Sequence, residues 1–175
     1  VLSKVSLNGK IDVTREKGRG INTLGILKGS ENKDSKKLII VGAHLDHIGR
    51  GRRSSRAKKT DFGKIHPGAD DNASGIAALL EIAEFLCHLK KKGLLMTQHD
   101  IVFVAWSGEE IGLIGSSYFV KSLKMSPNNP LNKKVMAYLN MDMIGRLNDK
   151  LTLHGIGSSS KWSTFIQKAN ISVGI

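Results

Sequence analysis

This chain of 175 residues is short of cysteine (one), proline (three), aromatic residues (5%) and acidic residues, 15 against 27 basic ones. The single cysteine, Cys87, excludes an internal disulfide and leaves the redox compartment open. It falls in an apolar helical stripe, so it reads as a small buried hydrophobe rather than a reactive thiol. So few aromatics supply no stacking platform of the kind single-strand nucleic-acid binders use. No apolar run approaches the roughly 20 residues of a membrane-spanning helix. HExxH and GxSxG are both missing, which removes the commoner zincin and serine-hydrolase readings. Gly155-Ile156-Gly157 lacks the third glycine of a dinucleotide fingerprint and opens no clear helix.

What the chain has in excess is positive charge, +12 formally. Much of it lies in Arg50–Lys59 (RGRRSSRAKK) and Lys90–Lys92. The second run follows a helical stripe and marks its C-terminus, where cations suit the dipole. The first has no apolar periodicity and reads as a solvated loop beside an active-site mouth, attracting acidic substrates rather than nucleic acid. A hydrophobic content of 40% with 24% charged residues is that of a globular chain of one domain.

The pattern alternates strands with helices. Val5–Thr14 and Thr23–Leu27, with Gly18-Arg19-Gly20 between them, read as an edge hairpin. Leu38–Ala43 (LIIVGA) and Ile101–Trp106 (IVFVAW) are continuous apolar strands, as expected when both faces are covered. Ile76, Leu79, Leu80, Ala83, Leu86 and Cys87 share one face of a helix from Gly75 to near Lys92. A short helix follows over Leu113–Leu123, then strands at Val135–Met141 and Leu151–His154, and a last helix at Lys161–Ala169. This order argues a mainly parallel α/β sheet with right-handed crossovers. Val1 in place of Met, and an end at Ile175 inside the apolar stretch Ile171–Ile175, are read as marks of a piece of a longer chain.

Chemistry-bearing residues cluster where the apolar runs end. His44-x-Asp46 closes the first strand, Gly108-Glu109-Glu110 follows the second, and Asn140-Met141-Asp142 follows the third. Asp70-Asp71-Asn72 lies between, before the first helix. Strand C-termini share one rim of a sheet, which is where open α/β proteins place their sites. Histidine and carboxylates are ligands for zinc, and a catalytic zinc needs three protein ligands and an open position. Four such clusters provide enough ligands for two metals. Asp70-Asp71-Asn72 would equally suit a helix N-cap, and Ser74 is a candidate cap.

The runs VGAHLDHIG, HPGADDNASGIAALLE, FVAWSGEEIGLIGS and YLNMDMIG, in this order, resemble the M28 family of zinc peptidases, mostly aminopeptidases. The resemblance covers roughly Asn22 to Gly145. It implies an α/β three-layer sandwich with a mixed, mainly parallel central sheet and helices on both faces, as in zinc-dependent exopeptidases. It implies a single catalytic domain over residues 1–175 whose C-terminal part is missing. Carried onto this chain, it makes His44 a metal ligand with Asp46 as its supporting carboxylate, and Asp71 the bridge between two zinc ions. A shared anion offsets the repulsion of two dications about 3.5–4 Å apart. It makes Glu110 and Asp142 further ligands and Glu109 the general acid/base. Asp70 has no role by this resemblance.

His44, Asp71 and Asp142 would complete one zinc site. The second has Asp71 and Glu110, while the family draws its histidine from far downstream. Only His154 follows Asp142, in an unsuitable context, and His47 and His66 read as surface histidines at the pocket mouth. The implied activity is hydrolysis of N-terminal peptide bonds by a water activated between two zincs, with peptides as substrates. The implied setting is secreted or periplasmic, without membrane insertion. Two alternatives stand beside it: a one-zinc amide hydrolase or cyclising acyltransferase of the same fold, and an inactive fragment or basic binding module.

Overall fold

The computed structural model describes residues 9–10, 17–29, 37–52, 55–129, 131–132, 134–147 and 150–174. The apolar runs form the strands β1 (Thr23–Leu27), β2 (Lys37–His44), β3 (Asp100–Trp106) and β4 (Lys134–Asn140). The helices are α1 (Gly75–Lys91), α2 (Ile114–Met125) and α3 (Trp162–Val173). The sheet runs in the order β1-β3-β2-β4. β2 pairs in parallel with both β3 and β4, and β1 lies antiparallel along the edge of β3. The sheet is therefore mixed and mainly parallel.

Alternation along the strands sorts their side chains between two helices. Ile101 and Phe103 of β3, with Val41 and Ala43 of β2 and Leu27 of β1, form a core capped by Leu79 of α1. Ile76, Ile82, Ala83, Leu86 and the half-buried Cys87 flank it, whereas Leu80, expected on the same face, points away and is 64% exposed. Val102, Val104 and Trp106, with Leu38 and Ile40, face the other way onto Phe119 and Leu123 of α2. Each fully buried aliphatic side chain contributes about 1.5–3 kcal/mol. A helix covers each face of the sheet, and the three layers are in place. Ala69–Lys91 is long and apolar enough to cross a membrane by length and composition, with hydropathy 1.2. Its apolar face nevertheless packs on the sheet.

Two expectations turn out differently, and one falls largely outside the described residues. Leu151–His154 forms no strand and is exposed; only Lys150 makes an isolated bridge. A strand needs a partner ladder, and four residues without one stay irregular. The first half of the proposed hairpin, Val5–Thr14, lies outside the described residues except for Gly9 and Lys10. The final helix begins at Trp162 and continues past Ala169 to Val173, since no breaker precedes Gly174.

Candidate metal centre

The parallel register levels the strand ends. His44 sits opposite Trp106, and Gly42 opposite Asn140, so β2, β3 and β4 deliver their following residues to one rim. The turn before α1 is fastened to that rim by Asn72, which is 2% exposed. Its Nδ2 donates to the Met141 carbonyl at 3.0 Å, while its Oδ1 accepts from the N–H groups of Gly75 (3.1 Å) and Met143 (3.3 Å). Asn72 thus caps α1, and the Ser74 hydroxyl instead donates to the Asp70 carbonyl at 2.6 Å. The approach is so close that a Cβ at Gly75 would lie 2.6 Å from the Met141 oxygen. Asp71 departs from helical geometry (φ −105°, ψ 90°), so its carboxylate turns away from the helix toward the strand ends.

His44 is 2% exposed and faces two carboxylates. Its Nε2 lies 3.2 Å from Asp142 Oδ1 and 3.3 Å from Asp71 Oδ1, with Glu109 Oε2 at 4.0 Å. The orienting bond on its other nitrogen runs from Nδ1 to the main-chain oxygen of Asp46 at 3.0 Å. The Asp46 carboxylate, expected to take that proton, is 4.0 Å away. It accepts instead from the backbone N–H groups of Glu109 (3.0 Å) and Glu110 (3.2 Å). One residue so orients the histidine through its carbonyl and the two glutamates through its carboxylate.

A second group lies alongside. His47 Nδ1 is 2.7 Å from Glu110 Oε1 and 3.7 Å from Asp71 Oδ2. Asp71 therefore turns one oxygen to His44 and the other to His47. The spacing gives His47 no more weight than any surface histidine; the only hint is its place three residues past His44, just beyond a strand end. His154 is exposed and belongs to neither group. Asp70 does have a part. Its Oδ1 accepts from the Gly145 N–H at 2.7 Å and its Oδ2 from Arg146 Nε at 2.6 Å, tethering the loop that follows Asp142. The hydrogen bond from Arg146 holds the Asp70 carboxyl below the usual carboxylate range.

The donor set suits a cation. Ligand atoms on a tetrahedron with bonds of about 2.0–2.1 Å lie about 3.3 Å apart. The 3.2 and 3.3 Å spacings of the His44 trio match this. Among the described residues, no lysine or arginine pairs with Asp46, Asp71, Glu109, Glu110 or Asp142; their ionic partners are His44 and His47. Burial pulls His44 toward neutrality, but the Asp46 carbonyl, the Asp142 bond and the nearby negative charges outweigh it and leave its pKa raised. Glu109 is pushed up by burial first, against the pull of His44, and then by its neighbours Glu110, Asp142 and Asp46. A carboxyl shifted this way is a better proton acceptor than a free one.

The fold and the rim together define an α/β protein with a candidate histidine–carboxylate cation centre at the strand ends. Residues 22–174 match peptidase family M28, and the chain belongs to that family. It is 35% identical over 138 residues to an aminopeptidase of Pseudomonas aeruginosa, covering 79% of this chain and 20% of that protein. It is 31% identical over 150 residues to leucine aminopeptidase 2 of Trichophyton rubrum, covering 84% of this chain and 25% of that protein. The chain thus spans a fifth to a quarter of these curated relatives. Among solved structures it resembles a Zn-dependent exopeptidase from Parabacteroides distasonis (TM-score 0.63, 20% identity, 87% of this chain and 52% of that one). It also resembles a glutaminyl cyclase from Bacteroides thetaiotaomicron (TM-score 0.62, 22% identity, 87% and 52%). At that identity these two speak for the fold alone.

Proposed function

We propose that the chain carries the catalytic centre of a zinc aminopeptidase. The observation that carries this reading is the two-sided placement of Asp71, one oxygen toward each histidine, with Glu109 beside the His44 trio. His44, Asp71 and Asp142 would hold one zinc, and Asp71 and Glu110 contribute to a second. Bound there, zinc would supply a water acidified toward pKa ~7 and a Lewis acid for the scissile carbonyl. Glu109 takes the attacking water's proton and returns it to the departing amine. The N–H groups of Glu109 and Glu110, held by Asp46, fix the turn that presents both side chains.

Preference for a free N-terminus follows from charge. A rim of carboxylates that has no lysine or arginine partner among the described residues attracts a protonated α-amino group. The adjoining cavity, ≈ 1280 Å³, is walled by Lys17, Arg19, Arg50 and Arg52 as well as by Asp46 and Glu110. Those cations favour acidic residues further along the peptide. The test is hydrolysis of leucine anilide and its N-acetylated form with added zinc. Cleavage of the free amine and not of the blocked one is expected. Equal cleavage of both, or of neither, would contradict the reading.

A further inference from the structure

We infer that Asn22 is a positioning residue for the proposed reaction, its amide clamping the base of the loop that presents Glu109 and Glu110. The inference rests on the zinc reading above and adds to it a residue from the edge of the sheet. The loop runs from Ser107, just after β3, to Leu113, just before α2. Gly108 (φ +70°), Gly112 (φ +110°) and Leu113 (φ +58°) all take left-handed conformations. Leu113 carries a side chain that this region disfavours, so the turn persists only where its surroundings hold it. Within the loop, the Glu109 carbonyl accepts from the N–H groups of Gly112 and Leu113 at 2.9 Å. At its base, the Gly115 N–H donates to the Ser107 carbonyl, also at 2.9 Å.

Two side chains from elsewhere in the chain fasten this loop. Asp46 takes the N–H groups of Glu109 and Glu110 at its tip. Asn22 takes its base. The Asn22 Oδ1 accepts from the Ser107 N–H at 3.1 Å, and its Nδ2 donates to the Gly115 carbonyl at 2.8 Å. One planar amide therefore bridges both ends of the loop, from 85 and 93 positions away. Gly115 shows how close the fit is. A Cβ there would collide with Asn22 Oδ1 and with the Ser107 carbonyl, so α2 can start this near to Asn22 only with glycine. The edge strand delivers the residue. Thr23 pairs with Ala105, which brings Asn22 level with the end of β3 where the loop begins. Along β1 only Leu27 is buried, so the strand's contribution to the core lies at one end and its tie to the loop at the other.

The rival role is direct contact with substrate, since Asn22 also lines the cavity beside Glu110. Kinetics and hydrogen exchange separate the two. Asn22→Ala and Asn22→Asp are compared with the wild type for kcat and KM on leucine anilide with added zinc, and for amide exchange across residues 107–115. Asn22→Ala should lower kcat by about 10–100-fold, the usual effect of losing an outer partner, with KM little changed. Exchange across residues 107–115 should quicken while that of α1 keeps its wild-type rate, since the opening is local. Asn22→Asp keeps the acceptor for Ser107 but loses the donor to Gly115, so it should fall between; it alone decides if Asn22→Ala does not fold. A raised KM with wild-type exchange would assign Asn22 to the substrate and overturn the inference. Wild-type kcat and exchange in the variants would also overturn it, leaving the zinc reading standing. A wild type that cleaves nothing would overturn the zinc reading, and exchange across the loop would still decide whether Asn22 clamps it.

Discussion

Asp46 shows how much of the site depends on which atom does the work. The motif places it beside His44, and the expected carboxylate–imidazole bond is chemically sound, yet the main-chain oxygen makes that contact. The carboxylate reaches across 63 positions to Glu109, a distance that no local spacing encodes. His44, Asp71, Glu109, Glu110 and Asp142 were legible because each has a chemistry-bearing side chain at a strand end or in the turn before a helix. His47 and Asp70 were not, since their partners come from other elements: Glu110 for His47, and Gly145 with Arg146 for Asp70. Asp70 acts on the loop that follows Asp142, and loosening that loop should weaken the His44 trio. Asp70→Asn is expected to lower zinc affinity there by roughly 10–100-fold, the usual effect of losing an outer partner. Competition with a chelating dye measures it, and an unchanged affinity would mean the loop is held without Asp70.

At the scale of elements, the strands that were easiest to read are those buried on both faces. β2 and β3 are continuous apolar runs because α1 and α2 each cover a face, and their alternation is hidden in the sequence but explicit in the two cores. Leu151–His154 reads as a strand too but joins no ladder among the described residues, which shows that strand character belongs to the pair and not to the segment. Helix α1 carries a sharper contrast in two adjacent leucines. Leu79 is 4% exposed against the sheet, while Leu80 is 64% exposed. Leu79→Ala should therefore cost about 2–5 kcal/mol of unfolding free energy. Leu80→Ala should stay within about 0.5 kcal/mol. Urea unfolding of the two variants compares them directly, and equal losses would mean that α1 does not pack on the sheet as described.

Across the whole molecule, charge is laid out in opposition. The chain carries +12 overall, yet its strand-end rim gathers five carboxylates with two histidines and no lysine or arginine partner among the described residues. Acids gathered at one point of a basic protein, partnered by histidines rather than lysine or arginine, fit the proposed role of that rim in holding cations and the ammonium end of a peptide. The net charge was legible from composition, but the gathering of the acids at one rim required the fold. Only the sheet register brings residues 44, 109 and 142 level. The basic loop was expected beside the mouth, and Arg50 and Arg52 do line the cavity that Asp46, His47 and Glu110 share.

The central claim is that two adjacent glutamates divide the work, Glu110 holding a cation and Glu109 moving a proton. Zinc content and turnover, measured together on Glu109→Gln and Glu110→Gln, test it most directly. Glu109→Gln should keep the zinc of the wild type and lose roughly 10²–10⁴-fold in turnover, since an amide cannot accept the water's proton. Glu110→Gln should lose zinc. Equal loss of zinc in both variants, or undiminished turnover in Glu109→Gln, would contradict that division.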